Sequence, residues 1–172
     1  MVMITIRCTQ KLRKYLDIHP VDKPEPAAAV LGDWYVNLVP KISGGLIIFM
    51  CKKTLLTIAI PAWESDELVP LFRMRLANLL GMIGIHPKDS ESEINHYDQA
   101  QFCRTTSRSA LGSLNDFAWH YQMMVVEARG ILNLNLSEAE LKLSRVPCKP
   151  IDYRYPSEAA KKLLSTQTKS AC

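Results

Sequence analysis

The stretch Trp34-Tyr35-Val36-Asn37-Leu38-Val39-Pro40-Lys41-Ile42-Ser43-Gly44-Gly45-Leu46-Ile47-Ile48-Phe49-Met50-Cys51-Lys52-Lys53-Thr54-Leu55-Leu56-Thr57-Ile58-Ala59-Ile60-Pro61 decides the fold. It holds three runs rich in β-branched, aromatic and aliphatic residues: Trp34 to Ile42, Leu46 to Cys51 and Thr54 to Ile60. Such runs suit a pleated, half-buried surface. Ser43-Gly44-Gly45 separates the first two and Lys52-Lys53 the last two, and connections this short join antiparallel neighbours. Pro40 has no N–H to donate, which weakens the far end of the first run or puts it on an edge. The expectation is an antiparallel meander.

Working outward, Met3, Thr5 and Arg7 alternate with Ile4, Ile6 and Cys8, the pattern of a strand with one buried face, and this strand joins the same sheet. Lys11 to Leu16 reads as a short basic helical turn. Pro20, Pro24 and Pro26 then break regular structure, so Val21 to Ala29 is a loop. After Pro61, Leu68, Phe72, Leu76, Leu79 and Ile83 make an apolar stripe at helical spacing. Its start is open between an N-cap at Ser65, with Asp66 and Glu67 in the first turn, and a later start with Pro70 in the first turn. Pro87 to Asp98 is polar and acidic and reads as a mobile loop; Gln99 to Thr105 is a fifth strand.

A long helix runs from Ser107 to about Arg129, with Gly130 as its left-handed C′ residue. Ser137-x-x-Glu140 reads as a capping box opening a helix through Ser144. Ile151 to Tyr155 is extended, and Ser157 caps a last helix from Glu158 to Ser165 before a frayed end. The fold class is therefore α+β: a mainly antiparallel sheet of about four to five strands, covered by two main helices, with short C-terminal helices. Residues 1–172 form a single domain, with a core over about 3–145 and a C-terminal extension over 146–172.

Composition excludes several classes. Five cysteines without a C-x-x-C, and four scattered histidines (His19, His86, His96, His120), provide neither a disulfide framework nor a structural zinc site. Reduced, buried thiols point to the cytoplasm. There is no signal-peptide pattern, and the longest apolar run, Leu46 to Cys51, falls far short of the roughly twenty residues of a membrane span. No motif for a metal or a cofactor is present. The net charge of +4 and pI near 8.8 stop short of a dedicated nucleic-acid domain, but they permit an acidic partner.

Two polar stretches carry the functional candidates. Before the long helix stands Arg104-Thr105-Thr106-Ser107-Arg108-Ser109: two arginines around four hydroxyl residues, at a helix start whose free N–H groups favour an anion. Arg104, Arg108 and Ser109 are the candidate anion ligands. The plainer reading is a serine cap, with the arginines paired to Asp33, Glu91 or Glu93. Along the helix, Leu111, Leu114, Ala118, Tyr121, Val125 and Ala128 form the core stripe, while Ser109, Ser113, Asp116, His120, Met123 and Glu127 form a polar one. Asp116 and His120 are four apart, so a carboxylate can orient an imidazole, or the pair can simply be a solvated face.

The second stretch, Leu31 to Leu38, alternates Asp33, Tyr35 and Asn37 against Trp34, Val36 and Leu38. Either Asp33 caps a turn at Gly32 and Asn37 is a satisfied strand residue, or both face Arg104, Arg108, Asn115 and Asp116 across one cleft. Gly112, costly within a helix, suggests that another backbone, such as the Gly32 turn, packs against it.

At L-G-D-W-Y-V-N (Leu31 to Asn37), R-S-A-L-G-S-L-N-D (Arg108 to Asp116) and Ile6 to Leu12, the chain resembles a bacterial family of uncharacterised proteins carrying a domain of unknown function. The resemblance spans about residues 4 to 130. It brings a grouping and no mechanism, and marks Gly32, Asp33, Trp34, Asn37, Arg108, Gly112, Asn115 and Asp116.

The leading expectation is a non-enzymatic binding or regulatory protein whose helix start meets a phosphorylated ligand, nucleic acid or an acidic protein partner. The alternative is a small hydrolase or transferase on a phosphorylated or nucleic-acid substrate. There Asp116 or His120 would act as base, Arg104 and Arg108 would stabilise charge, and Asp33 would orient the substrate or hold a divalent metal.

Overall fold

In the computed structural model, which describes residues 3–168, Met3–Cys8 is β1, Gln10–Tyr15 α1, Trp34–Val39 β2, Leu46–Cys51 β3 and Thr57–Pro61 β4. Leu68–Met82 is α2, Pro87–Ile94 α3, Gln99–Arg104 β5, Arg108–Glu127 α4, Leu136–Leu143 α5 and Pro156–Thr168 α6. The expected frayed end beyond α6 lies outside the described residues.

The α+β class holds, and β2, β3 and β4 form the antiparallel meander, in register from Trp34↔Cys51 to Val39↔Leu46 and from Leu46↔Pro61 to Met50↔Thr57. The sheet as a whole is mixed, in the order β4-β3-β2-β1-β5. β1 lies between β2 and β5 and runs parallel to both. Alternation along Met3–Cys8 fixes which face each side chain takes, not the strand's direction. Parallel neighbours need a crossover of about a dozen residues or more, and the segments 9–33 and 62–98 supply both.

The first crossover is pinned rather than loose. The Val21 N–H donates to the Phe102 carbonyl at 2.8 Å. Gln101 donates through Nε2 to the Glu25 carbonyl (2.6 Å) and Thr5 Oγ1 (2.9 Å), and its Oε1 accepts from the Glu25 N–H (2.9 Å).

Each face of the sheet buries its own apolar cluster. On one, Ile6, Trp34, Val36 and Phe49 meet Leu12 of α1, Phe72 and Leu76 of α2, and Leu164 of α6. Phe72 is the centre, edge-on to Trp34 at 4.8 Å and stacked on Phe49 at 4.5 Å. On the other, Tyr35, Ile48 and Ala59 meet Leu114, Phe117 and Tyr121 of α4 and Leu143 of α5. Ala160 and Leu164 join the first cluster, and Ile151 and Ala159 the second, so buried packing runs on past residue 145.

Several element boundaries differ from the expectation. α2 follows a 3-10 turn over Ala62–Glu67 and carries Pro70 in its first turn, which resolves the open start in favour of the later one. Pro87 to Asp98 is not a loop: the His86 ring nitrogen caps α3, Pro87 starts it, and a 3-10 turn follows. At the end of α4, Arg129 takes the left-handed conformation (φ 59°), and Gly130 sits one residue further at φ 133°. Asn135, not Ser137, caps α5. Ile151 to Tyr155 is not extended throughout: Ile151 ends a 3-10 turn begun at Lys149, Asp152 and Tyr153 both turn at φ 57°, and Arg154 forms an isolated bridge to Cys148. α6 begins at Pro156, with Ser157 inside it.

Two buried glutamates hold backbone groups that the sheet leaves unpaired. Glu93 of α3, 1% exposed, accepts from the N–H groups of Val30 and Leu31 (both 2.9 Å) and from the Tyr97 hydroxyl (2.7 Å). Tyr97 in turn accepts from the Trp34 indole at 3.2 Å. Glu140 of α5 is fully buried: its Oε1 accepts from the Ala59 N–H on the outer edge of β4 and from Arg75 Nε, both at 2.9 Å, while Oε2 has no partner.

Replacing Glu93 by alanine leaves the N–H groups of Val30 and Leu31 and the Tyr97 hydroxyl without their acceptor, so E93A should lose about 3 kcal/mol or more in urea unfolding. Burial pushes the Glu140 carboxyl up to about 7 from 4.5, against the lowering effect of Arg75. Below pH 4.5 the group is protonated in both the folded and unfolded states. As pH rises to about 7, the unfolded chain ionises while the fold retains the proton, so stability falls, and above that the loss is complete. The stability difference between wild type and E140Q should therefore fall by about 3 kcal/mol across this window, at roughly 1.36 kcal/mol per pH unit; a constant difference would contradict the raised carboxyl.

Candidate functional site

β5 ends at Arg104, and three residues later Ser107 caps α4, its Oγ accepting from the Ala110 N–H at 3.2 Å. The connection is fastened from below by Tyr35, whose hydroxyl lies 3.1 Å from Thr106 Oγ1. Arg7 of β1 reaches the same place: its Nη1 donates to the Arg104 carbonyl at 3.2 Å and its Nε to Asp33 Oδ2 at 2.6 Å. Burial disfavours the Arg7 charge, but the hydrogen bond and charge of Asp33 outweigh it and raise the Arg7 pKa. One strand over, Thr9 donates to Asn37 Oδ1 at 2.7 Å while capping α1.

Asp33 and Asn37 are thus held by Arg7 and Thr9 of the β1 end, rather than bonded to Arg104, Arg108, Asn115 or Asp116 across a cleft. Arg7 is the residue that the sequence reading passed over; its signal was a polar position on a strand face shared with Thr5. Asp33 and Glu93, two of the carboxylates considered as partners for the arginines, are committed elsewhere. Among the described residues, the exposed side chains of Arg104 and Arg108 make no ion pair, and Ser109 and Asn115 are also exposed.

Trp34 is a fully buried core residue. Gly32 turns the chain at φ 75° beneath the Lys53 side chain, whose Nζ donates to the Val30 carbonyl at 2.8 Å. Gly112 is exposed, and a Cβ there would meet nothing within 4 Å, so the expected packing of the Gly32 turn against it is absent.

Asp116 and His120 line one pocket of about 190 Å³ together with Ser113 and Phe117 of α4 and Cys148 and Lys149 beyond α5. Asp33 lines a different depression with Gly32, Lys52 and Lys53. Asp116 and His120 make no hydrogen bond to each other; the imidazole sits edge-on to the Trp119 ring at 5.2 Å. The Cys148 thiol donates to the Val146 carbonyl at 3.3 Å, and burial raises its pKa, the opposite of an activated nucleophile. Among the described residues no three of His, Cys, Asp and Glu are placed to hold a metal ion, and no helix is long and apolar enough to cross a membrane.

A mixed five-stranded sheet with helices on both faces and a basic helix start at the carboxyl end of its parallel strands describes the class. The family model described as "Domain of unknown function (DUF6933)" matches residues 5–159, and the chain belongs to that family. The match runs well past residue 130, where the resemblance read from the sequence stopped. No curated protein and no solved structure matches the chain.

With open space at its Cβ and a helical backbone, G112A should stabilise the protein by about 1 kcal/mol, a rise of about 2–4 °C in Tm by calorimetry. A loss of stability would mean that α4 is packed more tightly there.

Proposed function

We propose that the chain is a non-enzymatic binding protein that takes a phosphate-bearing ligand at the start of α4. One observation carries this reading. β1 and β5 are adjacent and parallel, yet α1 leaves β1 for one face of the sheet and α4 leaves β5 for the other. Neighbouring strands that send their helices to opposite faces open a crevice outside their carboxyl ends, the place where open sheets bind ligands.

Arg104 at the end of β5 and Arg108 in the first turn of α4 bring exposed side chains without an ion pair to those ends, and the first turn of α4 adds N–H groups and the positive end of its dipole. The Arg7 pairing offsets the negative charge of Asp33, which would otherwise repel an anion. The separation of Asp33 from the Asp116–His120 pocket weighs against the hydrolase or transferase reading, which needs these groups around one substrate.

Titration with pyrophosphate and with a short single-stranded oligonucleotide at low salt tests the proposal. Pyrophosphate should raise the Tm, and R104E and R108E should each weaken binding about tenfold or more, as expected for a lost charge-assisted hydrogen bond. If the oligonucleotide binds as well, each arginine removed should lower the salt slope by about one. Absence of binding by both probes, or binding indifferent to both charge reversals, would defeat the reading.

A further inference from the structure

We infer that the pocket between α4 and residues 146–150 is a separate site for a small zwitterion with an apolar body, of the chemical class of a free aliphatic α-amino acid. Its floor is apolar, with Leu55, Phe117 and Val146, and its volume of about 190 Å³ is below the range of about 300–1,000 Å³ for drug-sized ligands. Opposite charges stand on its two walls: Asp116 on the helix, Lys149 on the facing segment. Both are exposed, and among the described residues neither has an ion-pair partner, including the other. Two unlike charges held apart over an apolar floor are complementary to an ammonium and a carboxylate on one small molecule, with Ser113 and His120 adding hydrogen-bonding groups.

The facing wall is preformed. Pro147 and Pro150 restrict it, and the Cys148 N–H donates to the Arg154 carbonyl at 3.1 Å while the Tyr153 N–H donates to the Cys148 carbonyl at 3.0 Å. Closing this turn puts Asp152 and Tyr153 in succession at φ 57°, a conformation that disfavours side chains and is retained where the surroundings enforce it. A wall ordered before binding leaves less entropy to lose when a ligand enters. Asp116 lies about 12 Å along α4 from Arg108, at 1.5 Å per residue, so this site is distinct from the proposed anion crevice.

Calorimetric titration of the full chain with L-leucine, isoamylamine and isovalerate tests the inference. Leucine should bind about tenfold or more tightly than either half-charged analogue, and D116N and K149Q should each cost leucine about tenfold. R104E/R108E should leave leucine binding unchanged, and pyrophosphate should not displace it, so this inference and the anion reading can fail separately. No leucine binding, equal binding of isovalerate or isoamylamine, or full leucine affinity in D116N/K149Q would overturn it.

Discussion

The buried carboxyl group of Glu93 is the interaction on which the arrangement of the sheet depends. β1 and β2 can lie side by side in parallel only if segment 9–33 travels the length of the strands and re-enters at the correct height. Its last turn leaves two backbone N–H groups, that of part-buried Val30 and that of buried Leu31, without a partner in the sheet. Glu93 accepts both and, through Tyr97, is tied to the Trp34 indole at the first position of β2. One side chain thereby sets where the crossover ends, where β2 begins and how α3 sits beneath them. Gln101 does the same for the middle of the crossover, bonding Glu25 in both directions.

Glu140 repeats the device at the β4 edge of the sheet. β4 is the last strand of the sheet, and the Ala59 N–H on its outer side would otherwise remain unpaired or invite another strand. The carboxyl group of α5 covers it, with Arg75 of α2 alongside. Each glutamate joins a helix to a backbone segment more than sixty positions away in sequence.

That separation explains what could be read from the sequence and what could not. The meander was legible because its three runs are bounded by local turn signals, and α4 because its apolar residues repeat with the period of a helix. Glu93 was not: it sits in an acidic stretch whose composition looks solvated, and nothing near it in sequence indicates that it reaches the N–H groups of positions 30 and 31. Glu140 had a plausible local role three residues after Ser137, and the tertiary contact displaced it. The direction of β1 was illegible for a related reason, since alternation constrains faces and leaves parallel and antiparallel pairing equally open.

The polar stretches show the same division. Alternation put Asp33, Tyr35 and Asn37 on one face, and the structure keeps them there, with Tyr35 bonded to the approach to α4. What alternation could not show is that β1 would enter beside them as a parallel neighbour. Its register sets Arg7 opposite Tyr35, which brings the guanidinium to Asp33, and Thr9 follows to meet Asn37. The segments Ile6–Leu12 and Leu31–Asn37 are therefore one hydrogen-bonded unit in space. Asp33 and Arg7 offset each other's charge within that unit. A parallel β1 thus does more than complete the sheet: it supplies the partner of Asp33, while the side chains of Arg104 and Arg108 remain exposed.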